Sequence, residues 1–184
     1  MLSITIPPFS FFDERTEEFI EFDKPTHLQL EHSLLSISKW ESKWHKPFIG
    51  NSLTPPKTNE ELIDYIRCMT LTQKIDPQVY LGINNDVLQK VTAYIEDSMT
   101  ATTFSDEHNK KFNSEIITAE IIYYWMVALK IPFECQKWHL NKLIALIKVV
   151  SLKQQPPKKI PKGEYAKKRR GLNAARKKKY HTHG

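Results

Sequence analysis

The sequence predicts an α+β fold, mainly α: an N-terminal β-hairpin or small antiparallel sheet, about five helices, and a basic C-terminal tail. Three observations carry that expectation. Period-two alternation dominates the first part of the chain, up to residue 31. Helical spacing with capping residues recurs from Leu34 to Val150. Beyond residue 151 the apolar pattern gives way to prolines and then to dense Lys and Arg. The expected division is a globular domain over 1–150, then a Pro-containing spacer and basic tail over 151–184. With 40% hydrophobic residues, four Trp, nine Phe and seven Tyr, a chain of 184 residues has the material for a core.

Leu2, Ile4 and Ile6 alternate with Ser3 and Thr5, which is strand periodicity ended by Pro7-Pro8. "EFIEF", a "DKP" turn and the alternating "THLQLEH" read as a hairpin over 18–31. In "HSLLSISKWESKW", Ile37, Trp40 and Trp44 stand at helical spacing beside Leu34, predicting a helix over about 33–45, although "LLSISKW" also alternates. "HKPFIGNSLTPPK" is a loop. Thr58 and Glu61 form a capping box opening a helix over 59–70, with Leu62, Tyr65, Ile66 and Met69 inward. After the break at "TQKIDPQ", Asn84 or Asn85 caps a helix over 85–98 that turns Leu88, Val91 and Ile95 inward, and a polar linker, "TATTFSDEHNKKFN", follows. The stretch over 115–130 is apolar nearly all round, as for a central core helix. Pro132 then opens an amphipathic helix over 133–151 with Phe133, Gln136, Leu140, Leu143, Ile144 and Ile147 on one side. The short link at Lys130-Ile131-Pro132 predicts that these two helices form an antiparallel hairpin. "QQPPKKIPKG" is a stiff spacer, and the helix-friendly tail beyond it is interrupted by Gly171. There is no internal repeat.

Charge is divided unevenly. Residues 151–184 carry twelve Lys/Arg and one acid, net +11, whereas 1–150 carry fifteen bases and twenty acids, net −5. Such asymmetry speaks to partners rather than fold. Cys68 and Cys135 form no CxxC pair, which fits a reducing compartment. The N-terminus lacks a signal peptide's cationic region, and the longest apolar stretch, Ile121 to Leu129, is too short to cross a bilayer. The expectation is a soluble, cytoplasmic protein without a membrane partner.

No motif points to catalysis, a cofactor or a metal. Cys135 and His139 are four apart and would face one another on a helix, as a thiolate–imidazole pair does, but a core-edge Cys beside a surface His is the plainer reading. His181 and His183 lack the further ligands of a zinc site. Glu17-Glu18 and Glu60-Glu61 read as solvated acids, Glu61 with its capping role. Five glycines include no phosphate loop.

Binding is the remaining class. Trp40 and Trp44 lie on a comparatively polar segment and would mark a protein contact if exposed together. Tyr123, Tyr124, Trp125 and Trp138 read first as core packing, with Tyr124, Trp138, Leu140 and Ile144 as candidates to line a groove for a partner helix. In the tail, Lys167, Lys168, Arg169 and Arg170 form one cationic cluster, and Arg176, Lys177, Lys178 and Lys179 another. They suit an acidic protein surface, a nucleic-acid backbone or plain solvation. "DERTEEFIEFD" offers an acidic patch within the same protein or on a neighbouring copy, so self-association is among the alternatives.

The combination of "EFIEFDKPTHLQLEH", "LLSISKWESKW" and "IYYWMVALKIPFECQKWHLNKLIALI" resembles the tail assembly chaperones of long-tailed bacteriophages. "YIRCMTLT" and "LNAARKKK", with the segments around the tryptophans, extend a similarity to uncharacterised proteins of tailed phages. The resemblance implies a non-enzymatic assembly factor in the host cytoplasm that binds the tape-measure protein and recruits tail-tube subunits. It also implies an elongated form made by ribosomal slippage, for which the codons of Lys177–Lys179 are the place to look. The alternatives are a nucleic-acid-binding or packaging accessory protein gripping through the tail, and a structural component, connector or tail subunit, retained in the virion.

Overall fold

The computed structural model describes residues 1–14, 17–50, 57–104, 116–154 and 162–181, with only the backbone of 162, 164, 165 and 168. The fold is mainly helical with a small antiparallel N-terminal sheet pair. Two compact units are present, Met1–Ser151 and Leu152–Gly184. Parts of the loop at 45–57, of the polar linker and of the spacer predicted from sequence lie outside the described residues.

Four strands open the first unit: β1 (Leu2–Ile6), β2 (Phe9–Asp13), β3 (Glu18–Phe22) and β4 (Thr26–Leu30). The two arms expected to form one hairpin over 18–31 do not pair with each other. β4 pairs antiparallel with β1, Ile4 opposite Leu28, and β3 with β2, Phe11 opposite Ile20. The "DKP" segment is therefore a joint within one arm of a longer ribbon. Pro7-Pro8 faces it on the other arm, and the unequal two- and three-residue joints shift the register by one. Proline at this joint removes ladder donors, so pairing breaks and resumes. Ile4, Ile6, Leu28 and Leu30 all point into the core, as their alternation requires. The outer edge of β4 takes up the chain after the second helix, through Glu31 N–H to Met69 O at 2.9 Å and Leu71 N–H to Gln29 O at 2.8 Å.

Helix α1 (Leu34–Trp44) starts from a reciprocal box: Ser33 Oγ accepts from Ser36 N–H, and Ser36 Oγ accepts from Ser33 N–H. It is the hub of the unit, packing on α2 (Asn59–Met69), on α4 (Ala119–Ala128) and on the 3-10 turn Phe133–Lys137. Helix α2 has the Thr58–Glu61 box, both bonds present. A 3-10 turn, Pro77–Gly82, leads to α3 (Asn85–Glu96), where Asn84 Oδ1 accepts from Val87 N–H at 3.0 Å. Its buried positions are Val87, Val91 and Tyr94, with Leu88 and Ile95 only half-buried, so the inward face is turned from the expected one. α3 lies against β1.

The last two core helices depart furthest from expectation. α4 begins at Ala119 rather than near 115, and only one face is covered: Ala119, Ile122 and Met126 are buried, whereas Tyr124 and Val127 are exposed. It ends in a Schellman turn, with Lys130 left-handed at φ 55°, its N–H on Val127 O and Ile131 N–H on Met126 O. The single helix expected over 133–151 is broken. Phe133–Lys137 is a 3-10 turn, Trp138 is extended, and α5 runs Leu140–Gln154. The break has a tertiary cause: His139 bridges to Ser33, and Leu140 N–H bonds His32 O at 2.8 Å, so this segment pairs with the entry to α1 instead of continuing a helix. In the second unit, α6 (Lys162–Tyr180) runs unbroken through Gly171.

Candidate functional site

The residues proposed from sequence separate into two groups. Trp40 is core: 1% exposed, its indole N–H donating to Glu61 O at 2.9 Å, its ring edge-on to Phe48. Trp44 is half-buried, donates to Asp64 Oδ2 at 2.9 Å and stacks on Trp40. The pair thus ties α1 to α2 and is not an exposed contact, which corrects the sequence-based expectation. The polar look of the segment comes from Lys43 and Lys46, which pair with Asp64 and Glu61 respectively. Leu140 is buried in the core and so does not line an open groove, whereas Ile144 is half-buried, packed against that core.

Tyr124 and Trp138 are exposed, at 68% and 39%. Two residues missed from sequence are exposed as well, Val127 at 60% and Phe133 at 52%. Tyr124 and Val127 are three apart on α4, on the side opposite Ile122 and Met126, so they share its outward face. Phe133 lies 6.3 Å, centroid to centroid, from Tyr123, whose hydroxyl donates to Gln136 Oε1 at 2.9 Å. The turn is thereby held against α4. Lys142 sits 4.7 Å from the centre of the Trp138 ring. The available signal was the uniform greasiness of α4: a helix apolar on every side, with one side covered, leaves the other for a partner. A second aromatic surface lies on the ribbon, where Phe12 and Phe19 are paired across β2 and β3 and exposed.

The dyad considered at Cys135 and His139 is not formed. The break at Trp138 separates the two, and both imidazole nitrogens serve the backbone: Nδ1 accepts from Asn141 N–H at 3.3 Å and Nε2 donates to Tyr94 O at 3.0 Å. Beside His139, 5.0 Å between ring centroids, His32 Nδ1 meets the Tyr65 hydroxyl, which also contacts Ser36 Oγ at 3.3 Å. Burial, with the neighbouring His139, pushes the His32 pKa down to about 3. Tyr94 donates to Glu31 Oε1 at 2.7 Å, and Glu31 meets the N-terminal ammonium at 2.9 Å. This polar cluster links β4, α1, α2, α3 and the turn before α5.

Glu41 is a second buried tie. Oε1 accepts from Phe48 N–H at 2.7 Å and Oε2 from Ala119 N–H at 2.8 Å. Thr118, at the cap of α4, makes no side-chain cap bond, so Glu41 caps that helix from α1. Burial raises its pKa, against the lowering effect of the two N–H donors. Lys57 stands 4.3 Å from the centre of the Phe48 ring and donates to Phe48 O.

Among the described residues, no three His, Cys, Asp or Glu side chains are placed to hold a metal ion, and no helix is long and apolar enough to cross a membrane. The depression along α3, about 410 Å³ and lined by Asn85, Leu88, Gln89, Thr92, Ala93 and Glu96, is shallow and contains no paired acid and base. In the second unit Lys167, Arg169, Arg170, Arg176, Lys177, Lys178 and Lys179 are all exposed on α6; Lys168 is on the same helix, with its side chain outside the described set. His181 is exposed, and His183 lies outside the described residues. Comparison with protein families, curated proteins and solved structures finds no match to this chain.

Proposed function

We propose that this chain is a non-enzymatic assembly factor that shields an apolar helical segment of a partner protein. The observation that carries the reading is the uncovered outer face of α4 with the turn that follows it, where Tyr124, Val127, Phe133 and Trp138 are exposed. Aromatic side chains on a rigid helix and a braced turn are anchors of the kind that receive an amphipathic helix. The docking surface is this outer face rather than a furrow between α4 and α5. Resemblance to the tail assembly chaperones gives the partner's identity within the proposal: a tape-measure protein, with tail-tube subunits recruited later. The place of action is then the host cytoplasm, and the chain is absent from finished particles.

Co-expression with a tape-measure segment tests the reading. Tyr124→Ala with Val127→Ala removes two exposed side chains and leaves the core intact, so the melting temperature holds while recovery of soluble partner falls at least tenfold. Undiminished recovery, or abundant chain in purified virions, overturns the proposal.

A further inference from the structure

We infer that α6 is a duplex nucleic-acid-binding helix that lies in the major groove and contacts phosphates on both groove walls. The inference rests on the second unit alone and is independent of the docking face on α4.

The support is the angular placement of the cations. At about 100° per residue, Lys167 and Lys178 fall within ~20° of each other, as do Arg169 with Arg176 and Arg170 with Lys177. The Lys167 and Arg169 rows lie on opposite sides, the Arg170 row stands about 80–100° from each, and Lys179 falls in the gap between the two opposed rows. All seven side chains are exposed. The two clusters are nine residues apart, two and a half turns, so the shared rows run along most of the helix. An acidic protein surface meets a helix from one side and would leave most of these cations unpaired. A major groove about 12 Å wide encloses a helix and sets phosphates along both flanks. The exposed segment between the clusters, Gly171-Leu172-Asn173-Ala174-Ala175, is mostly small, and a Cβ built on Gly171 meets nothing within 4 Å. Asn173 is the one side chain there able to make paired hydrogen bonds to a base edge.

The test uses the full chain and a fluorescent duplex of about 20 base pairs, with anisotropy read across a salt series. With five to seven phosphates neutralised, log K should fall with log salt at a slope of about −5 to −6. Arg169→Ala with Arg170→Ala should make the slope shallower by about 2, while Lys at both positions restores it. Ala174→Pro keeps every charge but breaks the helix, and should weaken binding at least tenfold. Four results overturn the inference: Ala174→Pro binding like the parent, a single strand binding as tightly as the duplex, polyglutamate of equal charge competing as well as duplex, or no binding at low salt. The polyglutamate result would assign α6 to an acidic protein instead.

Discussion

Glu41 holds together two segments that lie far apart in the sequence. Its carboxylate receives the N–H of Phe48, after α1, and that of Ala119, the first residue of α4. Replacing it by Ala leaves both buried donors without an acceptor, at roughly 1–3 kcal/mol each. Glu41→Ala should therefore lower the urea-unfolding free energy by about 3 kcal/mol, and Gln, which keeps one acceptor oxygen, by less. No local pattern announces this role, because the Ala119 contact spans 78 positions. The Thr58–Glu61 box, by contrast, is legible because both partners lie within one turn. Trp40 and Trp44 show the same limit: helical spacing identifies their helix, but only α2 opposite them decides that Trp40 is buried and Trp44 half-buried.

The strands of the ribbon illustrate what the element scale adds. Alternation marks "EFIEF" and "THLQL" as strands, yet their partners depend on β1 and β2, and "FSFFD" escapes notice because its aromatics do not alternate cleanly. What docks the β2–β3 arm is a close approach: a Cβ built on Gly82 would lie 2.3 Å from the Phe9 ring, and Phe9 stacks on Phe22 at 4.9 Å between centroids. Gly82→Ala must therefore push Phe9 out of its stack, at about 1–3 kcal/mol for an overpacked contact. The expected signature is a lower melting temperature with faster amide exchange in Phe9–Asp13 and Glu18–Phe22. A variant as stable as the parent would show that the ring moves freely. The interruption before α5 belongs to this scale too. Nothing in "FECQKWHLNK" forbids a continuous helix, and the bonds of His139 and Leu140 to the segment entering α1 decide otherwise.

At the scale of the whole molecule, the buried polar cluster sets the pH range in which the first unit is stable. His32 is pushed down to about 3 in the folded chain, so between its ordinary value of 6.5 and that value the unfolded chain binds the proton that the folded chain refuses. Stability is thus retained above 6.5 and declines as pH falls through this window, at up to about 1.4 kcal/mol per pH unit. Glu61, held below the ordinary carboxylate range first by its hydrogen bond from Lys46, adds a loss at lower pH; Glu41, raised by burial, acts in the opposite sense and loses its share as pH rises past 4.5. At the alkaline end, burial raises Tyr65 and Tyr94 above their usual value of 10.0. Their contribution is present below that value and is lost as pH climbs beyond it, when the unfolded phenols ionise first. Cys68, also raised by burial, begins the alkaline loss above its usual 9.0, so the unfolding midpoint in urea should form a plateau from about pH 6.5 to 9 with a falling limb on each side. Tyr65→Phe discriminates between this origin and general charge repulsion. It removes the hydroxyl that meets His32 and Ser36, costs about 1–2 kcal/mol on the plateau, and makes the alkaline limb shallower because one buried phenol no longer titrates. An alkaline limb of unchanged steepness in that variant would place the sensitivity elsewhere in the fold.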